Sequence, residues 1–247
     1  MSEFKFPTEE VELPSKGLVY PKDNPLSSGK IEMKYMTAKE EDILTNQNYI
    51  KQGTVIDKLL KSLIVSKVNY DDMIVGDKNA VLISSRILGY GKDYDFQYKG
   101  EIVTVDLTEL ETRFLDESTM IEQSNEFSFT LPHTNTAITY KILTNRDEKH
   151  IEAEIKGLKK LNKQSSPEMS TRLKFMITSV NGDIDRKVIR DFVDNYMLAR
   201  DSRAFRDHLK STQPDIIMKF EFINENGTEE DAIIPMTAGF FWPDAGV

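Results

Sequence analysis

The feature that most constrains how this chain folds is a repeated switch in hydrophobic period. After Gly53, the residues Val55, Ile56, Leu59, Leu60, Leu63 and Ile64 recur at helical spacing and predict one amphipathic helix. From Tyr94 the period drops to two. Tyr94, Phe96 and Tyr98 alternate, Lys99-Gly100 breaks the run, and Ile102 to Val105 resumes it, which predicts a β-hairpin. Phe127, Phe129 and Leu131 alternate again, a polar turn follows at 133–136, and Ile138, Tyr140 and Ile142 complete a second hairpin. Helical stripes return at Met169, Leu173, Met176, Ile177 and Val180. After Asn181-Gly182 another runs through Ile184, Val188, Ile189, Phe192, Val193, Tyr196 and Met197. Phe220 and Phe222 then face Ala232, Ile233 and Ile234 across Asn224-Glu225-Asn226-Gly227, a third hairpin. Helices and hairpins in this order carry no βαβ rhythm. They predict an α+β class, a mainly helical domain with antiparallel β-hairpins near 93–105, 127–143 and 217–235.

Local signals fill in the remainder. Thr37-Ala38-Lys39-Glu40 reads as a capping box opening a helix to about Tyr49. A helix over 77–88 would turn Val81, Leu82, Ile87 and Leu88 inward, Asp106-Leu107-Thr108-Glu109 caps a short acidic helix, and a basic helix spans Asp147 to Leu161. Ser166-Pro167 opens the Met169 helix with Pro at its first position. Residues 1–36, broken by Pro7, Pro14, Gly17, Pro21 and Pro25, read as an extended N-terminal arm, 37–236 as a single domain, and 237–247 as an aromatic C-terminal tail. Gly239-Phe240-Phe241-Trp242-Pro243-Asp244 sets three large rings, the only Trp among them, where a chain is normally frayed and polar. Such rings need burial. Either the tail closes the chain's own core, or it docks on another chain as an anchor. Leu18, Tyr20, Phe240, Phe241, Trp242 and Pro243 are the candidate partner-binding residues.

Composition bounds the function. A chain of 247 residues with 39% hydrophobic and 30% charged residues can bury a substantial core. No apolar run approaches the roughly 18 residues of a membrane span. Met1-Ser2-Glu3-Phe4-Lys5 lacks the plan of a signal peptide, so a cytoplasmic protein is expected. The absence of Cys rules out disulfides, thiolate catalysis and Cys-ligated metal. A net charge of −9 argues against nucleic acid as a partner. That charge is uneven: residues 101–126 hold eight carboxylates and one Arg, whereas 141–163 hold seven Lys/Arg and four acids. These are either solvated faces or a field that steers a basic partner. The ten Met divide similarly. Met169, Met176 and Met197 sit on core stripes, while Met33, Met36 and Met236 suit either core or adaptable surface packing.

Catalytic constellations are missing from the sequence. His133, His150 and His208 stand far apart, with no metal-ligand spacing between them. Gly89-Tyr90-Gly91 lacks the third Gly and the preceding strand of a nucleotide loop, so it reads as a helix stop. No enzymatic activity and no cofactor are expected.

Leu13-Pro14-Ser15-Lys16-Gly17-Leu18-Val19-Tyr20-Pro21, the run Met36 to Leu44, Lys58-Leu59-Leu60, Arg86 to Tyr94, Asn181-Gly182, Asp201 to Arg206 and Phe240-Phe241-Trp242-Pro243 form an ordered set over nearly the whole chain. This set resembles the baseplate hub assembly proteins of T-even-like contractile-tailed phages. The resemblance implies a non-enzymatic protein of the infected host cytoplasm that binds other baseplate hub proteins during virion assembly, as a chaperone-like factor or as a permanent subunit of the virion baseplate. Homo-oligomerisation is left open, and no membrane partner is implied. Relatives carry Cys-x-x-Cys pairs in the first and last hairpins, which read as zinc ribbons. Here those stretches are Phe96 to Gly100 and Phe222 to Gly227, so aromatic packing has to stabilise them in place of metal.

Overall fold

The computed structural model describes residues 7–119, 124–161, 167–223, 229–236 and 240–241. Its first element corrects the expected N-terminal arm. Val11 and Leu13 alternate with Glu10 and Glu12, as Ile31 and Met33 do with Lys30 and Glu32, a strand period hidden among the Pro and Gly breaks. β1 (Thr8–Glu12) pairs antiparallel with β2 (Lys30–Lys34), and Leu13, Val19, Tyr20, Leu26, Ile31 and Met33 are buried in the main core. The excursion between the strands closes where Gly17 and Gly29 meet back to back, both at positive φ (77° and 71°). A Cβ on Gly17 would run into the Ser27 carbonyl and one on Gly29 into the Lys16 backbone, so glycine is required at both.

Glu40 accepts hydrogen bonds from the Thr37 amide (3.1 Å) and hydroxyl (2.6 Å) at the start of α1 (Ala38–Leu44), the cap expected there. The helix stops at Thr45. Asn46 then caps a second one, α2 (Gln47–Gln52), by accepting from the Asn48 and Tyr49 amides. α3 (Val55–Leu63) buries Val55, Leu59, Leu60 and Leu63, while Ile64 leaves the helix and bridges Met33 on β2. α4 (Val75–Tyr90) runs longer than its apolar pattern implied and lies at the centre of the fold. A Cβ at Gly76 would run into the Pro214 carbonyl, so this glycine sets how closely α4 approaches the C-terminal half.

β3 (Asp93–Tyr98) and β4 (Glu101–Asp106) form the first hairpin, turned by Lys99-Gly100 with both residues at positive φ. A short 3-10 turn at Leu107–Glu109 follows, capped by Asp106. β5 (Thr112–Arg113) comes next, then the second hairpin, β6 (Phe127–Thr130) with β7 (Ala137–Tyr140). α5 (Asn145–Leu161) is the expected basic helix.

The Met169 stripe is not one helix. α6 (Glu168–Met176) ends and the run Ile177-Thr178-Ser179-Val180, β-branched at all but Ser179, extends as β8 (Ile177–Val180), a third strand on β7. An open edge on β7 accounts for this, because pairing there satisfies the backbone while Ile177 stays buried. α7 (Arg186–Asp191) passes into a π-helical turn at Phe192–Tyr196, and α8 (Ala199–Thr212) follows. β9 (Asp215–Ile216) pairs with β5, and β10 (Lys219–Ile223) with β11 (Glu229–Ile233) gives the third hairpin, whose turn lies outside the described residues.

The first and third hairpins pack on each other through rings. Phe220 lies edge-on to Phe96 (5.1 Å) and Tyr98 (5.2 Å), and Tyr98 meets Phe222 at 5.1 Å. Lys99 also pairs with Glu230 across the two hairpins at 2.8 Å. Each isolated hairpin would be marginal; together they bury one aromatic face.

Candidate functional site

The residues picked out by sequence for partner binding mostly face inward. Tyr20 is buried, and its hydroxyl donates to Asp77 (2.6 Å) on α4 while accepting from the Ile74 amide (3.0 Å). Ser15 adds its amide (2.9 Å) and hydroxyl (2.6 Å) to the same carboxylate. The Leu13-to-Pro21 segment is thus a clamp that locks the N-terminal excursion onto α4. Burial pushes the Asp77 carboxyl up to about 6 despite the pull of these donors. Leu18 is half-buried against the core. Phe240 and Phe241 are buried, with Phe240 edge-on to Tyr94 at 5.0 Å, so these two rings close the chain's own core. Trp242 and Pro243 lie outside the described residues.

Other buried carboxylates also hold elements together. Glu40 takes Lys34 (2.8 Å) and Ser62 (2.8 Å) in addition to Thr37. Its burial opposes ionisation, but these donors outweigh it and bring the carboxyl down to about 2. Asp201 on α8 accepts from the His133 amide (2.8 Å) and from Thr134, fastening the turn of the second hairpin.

His208 bonds the Tyr140 hydroxyl at 2.8 Å, stacks on Phe129 and has its pKa lowered by burial. The cleft of about 300 Å³ beside it is lined by Phe127, Ser128, Tyr140, Thr212 and others, with no carboxylate among the described residues to orient or charge the imidazole. No group of three or more His, Asp or Glu that could hold a metal ion occurs among the described residues. No helix among them is long and apolar enough to cross a membrane.

The arrangement that stands out is a series of exposed apolar side chains from α6 to the start of α8. Ile184 is 76% exposed, Tyr196 63%, Leu198 50%, Met169 49% and Val188 39%. A cleft of about 370 Å³ opens at Met169, lined also by Leu173, Val193, Met197 and Arg206 among others. The sequence pattern placed Ile184, Val188, Tyr196 and Met169 inward, which the structure corrects. The π-helical turn is the reason at Tyr196, where the wider turn shifts the register outward while Ile189 and Val193 stay buried. Arg190 and Lys174 at this face are held by Glu154 and Asp194. Only the mismatch between a helical stripe of seven apolar residues and an otherwise charged surface could have flagged this face beforehand.

No family model, curated protein or solved structure matches this chain.

Proposed function

We propose that this protein is a non-enzymatic assembly factor of a contractile-tail baseplate hub, acting in the host cytoplasm, and that the face of Met169, Ile184, Val188, Tyr196 and Leu198 holds a hub subunit. The observation that carries the reading is concentration. Of the eleven large apolar side chains exposed among the described residues, five fall between Met169 and Leu198. Scattered exposed apolar residues are ordinary, whereas a contiguous set bordered by charge marks a contact surface. Tyr and Met suit such a surface, since one supplies a rigid amphipathic anchor and the other adapts its shape. The resemblance of the ordered motifs to hub assembly proteins is what points to a hub subunit as the partner. A factor of this kind covers an apolar patch on a subunit until the next subunit displaces it, shifting the folding and assembly equilibrium by mass action.

The test pairs a pull-down from infected-cell lysate with mass spectrometry of purified particles. Hub subunits captured by the wild type, lost with Tyr196→Ser plus Leu198→Ser, and a protein absent from particles are the expected results. Presence in particles at fixed copy number would make it a structural subunit instead. Capture of no hub protein, with absence from particles, overturns the reading.

A further inference from the structure

The edge of β1 that faces away from β2 is unpaired among the described residues. The Leu13 amide bonds the Gly29 carbonyl (2.8 Å) and the Tyr35 amide bonds the Pro7 carbonyl (3.3 Å), so the odd-numbered residues of β1 exchange hydrogen bonds with β2. The amides and carbonyls of Thr8, Glu10 and Glu12 therefore point outward, and none has a partner among the described residues. The far edge of β2 is treated differently. Glu32 there accepts from the Val65 amide at 2.8 Å and donates to the Ser66 hydroxyl at 2.8 Å. One edge of the sheet is sealed and the other is open.

The open edge borders a cleft of about 300 Å³. Ile83, Ile87 and Leu88 of α4 line it, with Leu107, Leu110 and Ile216 on the far side. Its borders are acidic. Glu9, Glu10 and Glu12 line it from β1, all three exposed, and no Lys or Arg lines the cleft among the described residues. Glu10 is paired with Lys30 (2.7 Å), outside that lining, which leaves the local balance negative.

We propose that this cleft takes an extended segment of a partner protein as a third strand on β1, and that the segment alternates basic and apolar side chains. The free backbone groups of Glu10 and Glu12 would supply the ladder, the α4 side chains the apolar seat, and the three β1 carboxylates the preference for Lys or Arg. This site lies on different elements from the apolar face above and stands independently of it.

The probe is a fluorescent peptide of about seven residues alternating Lys and Val, compared with its Glu/Val counterpart, titrated against the full chain and followed by anisotropy. The expected result is saturable binding of the Lys peptide at least about tenfold tighter than the Glu peptide, weakening with salt. Glu10→Pro removes an amide that β2 does not use, so it should leave the β1–β2 pair in place and weaken binding about tenfold or more. If that variant fails to fold by circular dichroism, amide exchange in the wild type decides: the Glu10 and Glu12 amides should slow when the Lys peptide is bound. No saturable binding, equal binding of both peptides, or unchanged exchange at those amides each overturns the proposal. Protection of the same amides by a concentration-dependent dimer without peptide would assign the edge to a second copy and overturn it as well.

Discussion

Replacing Tyr20 with Phe tests whether the N-terminal clamp stabilises the fold through Asp77. The substitution keeps the ring and removes one oxygen, which donates to a buried carboxylate at 2.6 Å and accepts from the Ile74 amide at 3.0 Å. A hydrogen bond to a charged group is worth about 1.5–3 kcal/mol and a neutral one about 1, so the expected cost at neutral pH is about 2–4 kcal/mol. For a chain of this size, that lowers Tm by roughly 5–12 °C. The cost should also depend on pH in a defined direction. Asp77 has a folded-state pKa raised from 3.8 to about 6, so its contribution to stability is fully present below the unfolded value and is lost as pH rises through about 6. Loss of the Tyr20 donor disfavours the carboxylate further and raises that pKa again. Each additional unit adds about 1.4 kcal/mol to the penalty above the transition and nothing well below it. Urea unfolding at about pH 5 and about pH 8, both variants at constant ionic strength, reads the difference directly. A penalty below about 0.5 kcal/mol, or one equal at the two pH values, would refute the argument that the phenol supports an ionised Asp77.

Glu40→Gln should cost about 2–3 kcal/mol at neutral pH, since Lys34 loses its buried partner. Because the Glu40 pKa is lowered to about 2, its contribution is present above the unfolded value of 4.5 and lost as pH falls through about 2, so acid unfolding curves of variant and wild type should converge there. Gly76→Ala should destabilise far more than Gly157→Ala, because the added methyl meets the Pro214 carbonyl at the first site and open space at the second; matching melting temperatures would contradict the close approach of α4. Phe240→Ala removes a buried ring packed on Tyr94 and should cost about 3–5 kcal/mol by chemical denaturation, whereas Tyr196→Ser should stay within about 0.5 kcal/mol while reducing partner capture.

Much of this architecture was legible in the sequence because it rests on local periodicity and local caps. The Val55 stripe, the Thr37–Glu40 cap, the Lys99-Gly100 turn and the three hairpins each depend on residues a few positions apart, where steric and hydrogen-bonding preferences act without help from the rest of the chain. Other features were decided over long range. Residues 1–36 read as an arm because Pro and Gly dominate locally, yet β1 finds β2 and Ser15 and Tyr20 find Asp77 some sixty positions away. Ile177 to Val180 continues a helical stripe, but the open edge of β7 makes the extended conformation the better one. The exposed face was hidden for the same reason. A π-helical turn at Phe192–Tyr196 alters which side of the chain meets the core at Tyr196. Short-range period and capping were therefore set by the sequence alone, while the pairing of strand edges, the partners of buried carboxylates and the apolar residues left in water were settled by tertiary structure, since each depends on what a distant segment offers in place of solvent.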